Sequence, residues 1–197
     1  MTYAIIGTGN VGTAVARRFA HANIPVRIAN TRGPDSIAPL ARELGEAIQP
    51  STIEEALEAD VIFLALYFIH VEALAAVRSD WSGKTVIDAT NPYGVSAEQM
   101  AGRLSSDIVA ATLPGATVVK AFNQLPASVL ARDPQQENGR RVIFVSGNDA
   151  AANSTVKSLA AQLGFATIDV GRIDEGGRLL AMGAPLVLHN LVEYPFK

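Results

Sequence analysis

Short runs of apolar, largely β-branched residues alternate along the chain with longer stretches in which apolar side chains recur every three or four positions. The runs at Tyr3–Ile6, Val26–Ala29, Val61–Leu66, Thr85–Asp88, Thr117–Ala121, Val142–Ser146 and Ala166–Val170 read as strands. Their near-continuous apolar character is what strands covered by helices on both faces require. The stretches between them read as helices. Asn10–His21 sets Val11, Ala14, Val15 and Phe19 on one face. Pro34–Leu44 stops at Gly45, and Ala150–Leu163, capped by Asp149, stops at Gly164. Ser51-Thr-Ile-Glu54 has the form of a capping box, and Ser96, with Glu98 and Gln99 behind it, opens a further helix. The polar stretch Arg132–Arg140 reads as a surface loop. The segment from about Glu175 to Val192 is apolar and helix-like, broken by Gly183 and Pro185.

Strand and helix alternate in this way in βαβ units, so the pattern predicts an α/β fold, doubly wound, around a mainly parallel sheet. A length of 197 residues suits one domain over 1–197, with 172–197 as a small C-terminal helical extension. Apolar residues make up 49% and charged residues 18% of the chain, a balance that buries a sizeable core. The net charge is −3 and no polybasic block occurs, which argues against nucleic acid or an anionic membrane surface as partner. With no cysteine, disulfides, thiolate catalysis and Cys-ligated metals are excluded. No basic segment followed by an apolar core stands at the start, and the most apolar run, Val61–Ile69, is too short to span a bilayer. The expectation is a cytoplasmic protein. His189 and Glu193 lie four residues apart, but nothing else completes a metal site, so none is expected.

The chemistry begins after the first strand. Gly7-Thr8-Gly9-Asn10-Val11-Gly12 matches G-x-G-x-x-G between a strand and an amphipathic helix. That context makes a Rossmann-type dinucleotide site of an otherwise common glycine turn. Gly7 allows the turn, Gly9 admits a pyrophosphate close to the backbone, and Gly12 lets helix and strand approach. Free N–H groups at the helix start, together with its dipole, would hold the phosphates. An NAD site carries Asp or Glu at the end of the second strand. Here that position reads Asn30-Thr31-Arg32-Gly33, with no acid before Asp35. A guanidinium and a hydroxyl in place of a carboxylate suit the 2′-phosphate of NADP.

Gly7-Thr-Gly9-Asn10, Asn30-Thr31-Arg32 and Val118-Val-Lys120-Ala-Phe122-Asn123 together resemble the NADPH-dependent oxidoreductases of the deazaflavin (coenzyme F-420) reductase family. The same fold builds the cytosolic NADPH domain of transmembrane ferric reductases. The resemblance covers nearly the whole chain. It implies NADPH binding, a homodimer and direct hydride transfer to a small redox acceptor such as a deazaflavin or a flavin. Carried over by position, Thr8, Gly9, Asn10 and Val11 would contact the pyrophosphate, and Thr31 and Arg32 the 2′-phosphate. Leu66 and Tyr67 would line the ribose and nicotinamide. Asn91 and Pro92, and Ala121, Phe122 and Asn123, would face the nicotinamide side.

Hydride transfer to a flavin-like ring needs alignment and dryness more than a strong acid or base. His70, just past the third apolar run, and Asn123 are the catalytic candidates, though each has an ordinary structural reading. Asp88 precedes Ala-Thr-Asn-Pro and reads as a turn-fixing carboxylate. Two other functions compete. One is an NADP-linked reductase of a small carbonyl or imine, for which Lys120 would be the lysine at a strand end. The other is a non-catalytic NADPH sensor.

Overall fold

A computed structural model describes residues 1–195. Among these residues ten strands form one sheet. Its parallel half comprises β1 (Tyr3–Ile6), β2 (Val26–Ala29), β3 (Ile48–Pro50), β4 (Val61–Leu64), β5 (Thr85–Asp88) and β6 (Thr117–Ala121), in the spatial order β3-β2-β1-β4-β5-β6. This is the doubly wound, Rossmann-like arrangement, and its direction reverses between β1 and β4. Helices α1 (Asn10–His21), α2 (Ala38–Leu44), α3 (Ile53–Ala56), α4 (Val71–Ala75), α5 (Ala97–Met100) and α6 (Ser105–Thr112) lie within the connections between these strands.

The core is split by the sheet. Alternate residues of a strand face opposite sides, so Ile5, Phe63, Ile87 and Val119 join Val15 and Phe19 of α1 on one face. Ala4, Ile62, Val86 and Val118 join Leu74, Val109 and Trp81 on the other. Phe122 extends the first cluster, ring edge against face with Phe63 at 5.0 Å and Phe165 at 5.8 Å.

Beyond β6 the sheet turns mixed. A short helix α7 (Ala127–Leu130) leads to β7 (Gln135–Gln136) and a nine-residue β8 (Gly139–Gly147), which runs antiparallel to β6. β8 continues through α8 (Ala150–Gln162) to β9 (Ala166–Asp169), parallel to it. Asp149 caps α8 by accepting the N–H of Ala152 at 2.8 Å, as its sequence position predicts.

Several local expectations shift. The strand over Val61–Leu66 ends at Leu64, and the helix over Pro34–Leu44 divides into a single 3-10 turn at Pro34–Ser36 followed by α2. The capping box is built one residue later than the pattern suggests: Thr52 accepts from Glu55 N at 3.2 Å, and Glu55 reaches back to Thr52 N at 3.1 Å. Part of the expected loop Arg132–Arg140 is strand β7, paired to β8. The main departure is the expected helical extension over 172–197, whose last two residues lie outside the described residues. Among its described residues only α9 (Gly176–Leu179) is an α-helix, and a short β10 (Val192–Glu193) pairs antiparallel with β8. Gly183, at φ +81°, and Pro185 interrupt any longer helix. The backbone instead bonds sideways, Leu188 N to Gln124 O at 2.7 Å. The apolar stripe therefore divides: Leu180 and Val187 are buried, while Leu179, Met182, Leu188 and Leu191 are exposed.

Candidate functional site

The glycine turn is fixed by contact, not by composition. Gly7 sits at φ +113° and donates its N–H to Ala29 O at 2.8 Å, which joins the turn to β2. A Cβ there would collide with Ala65 O of the β4 end, and one on Gly12 would collide with the carbonyl of Gly7. Gly9 is different. A Cβ on it would meet nothing within 4 Å, because it borders open space at the start of α1. No side chain caps that helix start and no acid stands in its first turn, so its N–H groups and dipole face the opening unneutralised. This opening is what an anionic pyrophosphate requires.

Beside it lies a polar cluster. The hydroxyl of Thr8 accepts Asn30 Nδ2 at 2.7 Å and Arg32 Nη2 at 3.3 Å. Asn30 Oδ1 accepts the backbone N–H of Arg32 at 2.8 Å, an Asx turn that aims the arginine back over the glycine loop. Ser36, which the motif reading passed over, completes the group: its hydroxyl bonds both to Asn30 Oδ1, at 3.1 Å, and to Gly33 O, at 2.8 Å. The signal that could have found Ser36 is a hydroxyl three residues beyond Gly33, whose positive φ of 82° folds the loop back on itself. Arg32 is exposed and takes part in no ion pair among the described residues. Thr31 is exposed next to it.

The parallel neighbours β1, β4, β5 and β6 bring a second set to the same carboxyl edge. Leu66 is half-buried, whereas Tyr67, at 68% exposure, stands clear of the surface. Asn91 and Asn123 meet through a reciprocal pair: each side-chain nitrogen donates at 3.0 Å, Asn91 Nδ2 to Asn123 O and Asn123 Nδ2 to Asn91 Oδ1. Pro92, Ala121 and Phe122 are buried, so the side chains of Ala121 and Phe122 face the core and only their backbone can meet a ligand. Phe122 takes φ +63°, a left-handed conformation uncommon for an aromatic residue, which turns the chain out of β6 and delivers Asn123 to Asn91. His70 is exposed at the end of a 3-10 turn and packs edge to face with Tyr67 at 6.2 Å. Lys120 is 1% exposed and paired with Asp88, so its ammonium has no route to a substrate.

Residues 2–92, which hold the glycine turn and the arginine cluster, match the family model described as NADP oxidoreductase, coenzyme F420-dependent. A hypothetical protein of Sinorhizobium meliloti is 43% identical, with 98% of this chain and 96% of that one superposed at a TM-score of 0.93. A candidate F420-dependent NADP reductase from Arthrobacter sp. is 25% identical, over 98% of this chain and 100% of that one, at a TM-score of 0.73. The chain belongs to the F420-dependent NADP oxidoreductase family.

The chain is also similar to eukaryotic metalloreductases. STEAP3 of Rattus norvegicus is 30% identical over 171 residues, 86% of this chain and 33% of that protein. The chain thus spans about a third of the length of the curated relatives it matches. No helix among the described residues is long and apolar enough to cross a membrane.

Proposed function

We propose that the chain binds NADPH across the carboxyl edge of its parallel strands and passes the hydride to a small, flavin-like redox acceptor, a deazaflavin or a flavin. The observation that carries this reading is the Thr8–Asn30–Arg32–Ser36 cluster, which gathers hydroxyls and a guanidinium where an NAD site has a carboxylate. The opening over Gly9 fits the pyrophosphate. NADPH, when bound, supplies the hydride.

What remains for the protein is binding and alignment. N–H groups at the start of α1, from Gly9, Asn10 and Val11, hold the pyrophosphate. Arg32, Thr31 and Ser36 take the 2′-phosphate. Leu66 and Tyr67 border the ribose and nicotinamide, and Asn91 meets the ring's carboxamide, braced from behind by Asn123, whose buried side chain has both Nδ2 hydrogens committed within the protein. No acid or base is required of His70, whose exposure leaves it in water. The burial of Lys120 speaks against a carbonyl or imine reductase that uses this lysine as proton donor.

The whole 1–197 chain acts as one NADP-binding domain in this reading, in the cytoplasm, where a cysteine-free protein forgoes nothing. Exposed Leu179, Met182, Leu188 and Leu191 offer apolar surface for a homodimer, which light scattering at working concentration tests. The decisive experiment titrates NADPH and NADH by calorimetry, then offers the NADPH complex FMN, FAD, riboflavin, ferric chelates and the deazaflavin under anaerobic conditions. Tight NADPH binding with oxidation by a flavin-like acceptor is expected. A complex that none of these oxidises would overturn the enzymatic reading, and no heat with either nucleotide would overturn the binding site.

A further inference from the structure

The ends of β5 and β6 carry a buried polar network that nucleotide binding does not by itself call for. Asp88 and Lys120 are register partners on the two parallel strands, at 0% and 1% exposure. Lys120 Nζ donates to Asp88 Oδ2 at 3.1 Å and also to the carbonyl oxygen of Thr90. Asp88 Oδ1 accepts the backbone N–H of Thr90 at 2.9 Å and its hydroxyl at 2.7 Å, while the Ser106 hydroxyl donates to Oδ2 at 3.2 Å. Thr90 is therefore clamped at both ends of its backbone, the N–H by Asp88 and the C=O by Lys120.

The next residue is Asn91. Its reciprocal pair with Asn123 joins the two strand-end turns, and Asn123 Nδ2 is further tied to Leu180 O at 2.8 Å. Asn123 Oδ1 is a buried acceptor with no partner among the described residues, so this amide is held by its donors alone. On the other side, Phe122 pins Asn123 through its left-handed backbone and its ring contacts.

A buried ion pair is a poor source of stability, because desolvating two charges offsets their attraction, and apolar residues of equal volume commonly serve as well. Its use here is geometric. We infer that Lys120 and Asp88 are positioning residues: they lock the Thr90–Asn91 backbone so that the Asn91 amide, braced by the buried Asn123, presents one preset edge to the nicotinamide carboxamide. The inference rests on the NADPH reading and adds to it a group that acts without touching the cofactor. It also gives Lys120 a role that needs no contact with substrate, in keeping with its 1% exposure and with two of its three donors committed inside the protein.

The test uses the whole chain with NADPH as probe and two readouts: Kd by calorimetry, and the nicotinamide emission of bound NADPH. The variants are K120M, N91A, their combination, and the charge-free pair K120M with D88N, which leaves no unpaired ion if the single variant fails to fold. Affinity held mainly at the phosphate end should change by less than about threefold in K120M, while the emission enhancement falls by roughly half. N91A should lose the same enhancement, and adding K120M to N91A should remove nothing more, the non-additivity of two groups acting as one. Emission unchanged in K120M and in the charge-free pair, or losses that add, would overturn the inference alone. Failure of the unaltered protein to bind NADPH would instead bring down the nucleotide reading beneath it.

Discussion

The guanidinium of Arg32 reaches back across the loop to the hydroxyl of Thr8, Nη2 to Oγ1 at 3.3 Å, so a residue beyond β2 is joined to the glycine turn beyond β1. The contact couples the two parts of the proposed site that would hold phosphate, the pyrophosphate turn and the 2′-phosphate pocket.

Arg32→Ala should therefore separate the two nucleotides. A hydrogen bond to a charged group contributes about 1.5–3 kcal/mol, so Kd for NADPH should rise roughly tenfold or more while Kd for NADH changes little. Parallel calorimetric titrations check this. Equal losses for both would show that the arginine does not read the extra phosphate.

The glycines of the turn should fail in different ways. A Cβ on Gly9 meets no protein atom within 4 Å and Gly9 has an ordinary φ of −75°, so Gly9→Val should fold while both nucleotides lose at least about tenfold in affinity. Gly12→Ala meets the backbone of Gly7 and should lower the melting temperature by about 3 °C or more before any ligand is added. Melting curves and titrations on the same samples distinguish the two. A Gly9→Val protein that binds NADPH normally would refute the loop assignment.

At the opposite end of β1, Asp60 clamps the chain start, accepting Thr2 N at 2.7 Å and the Thr2 hydroxyl at 3.0 Å. The Thr2 backbone N–H, and after it the hydroxyl, hold the Asp60 carboxyl below its ordinary value. A carboxylate with a lower folded-state than unfolded-state pKa stabilises in full above the unfolded value, and the gain disappears as pH falls through the folded one. Stability should drop as pH goes below about 4, and Asp60→Asn should flatten that acid limb while lowering stability slightly at pH 7. Urea midpoints across pH provide the measurement. An acid limb identical in the two proteins would remove Asp60 from the account.

Much of this protein is legible in its sequence because the signals are local. β-branched runs, the stripe of Val11, Ala14, Val15 and Phe19, and the caps at Ser96 and Asp149 act within a few residues of themselves, and each appears where the pattern puts it. The Gly7–Gly12 turn and the missing acid after β2 are local as well, which is why the sequence alone points to a candidate nucleotide site there. The short strands β3, β7 and β10 escaped because two or three residues carry no period, and only their partners define them. The C-terminal segment looked helical for the converse reason. Of its apolar residues Leu180 packs against Val142 and Phe144 of β8 while Leu179, Met182, Leu188 and Leu191 stay exposed, a division that spacing cannot reveal.

The chain's own order of residues determined the class of fold, the glycine turn and the presence of a guanidinium and hydroxyls, in place of a carboxylate, after β2, since each depends on which backbone angles and charges neighbours in sequence can supply. Tertiary structure alone decided that Asp88 and Lys120 would meet, that Asn91 would pair with Asn123, and that Ser36 would join Asn30. These residues lie on different strand ends or across a folded loop, and their energies exist only once the sheet has brought them within hydrogen-bond reach and excluded water.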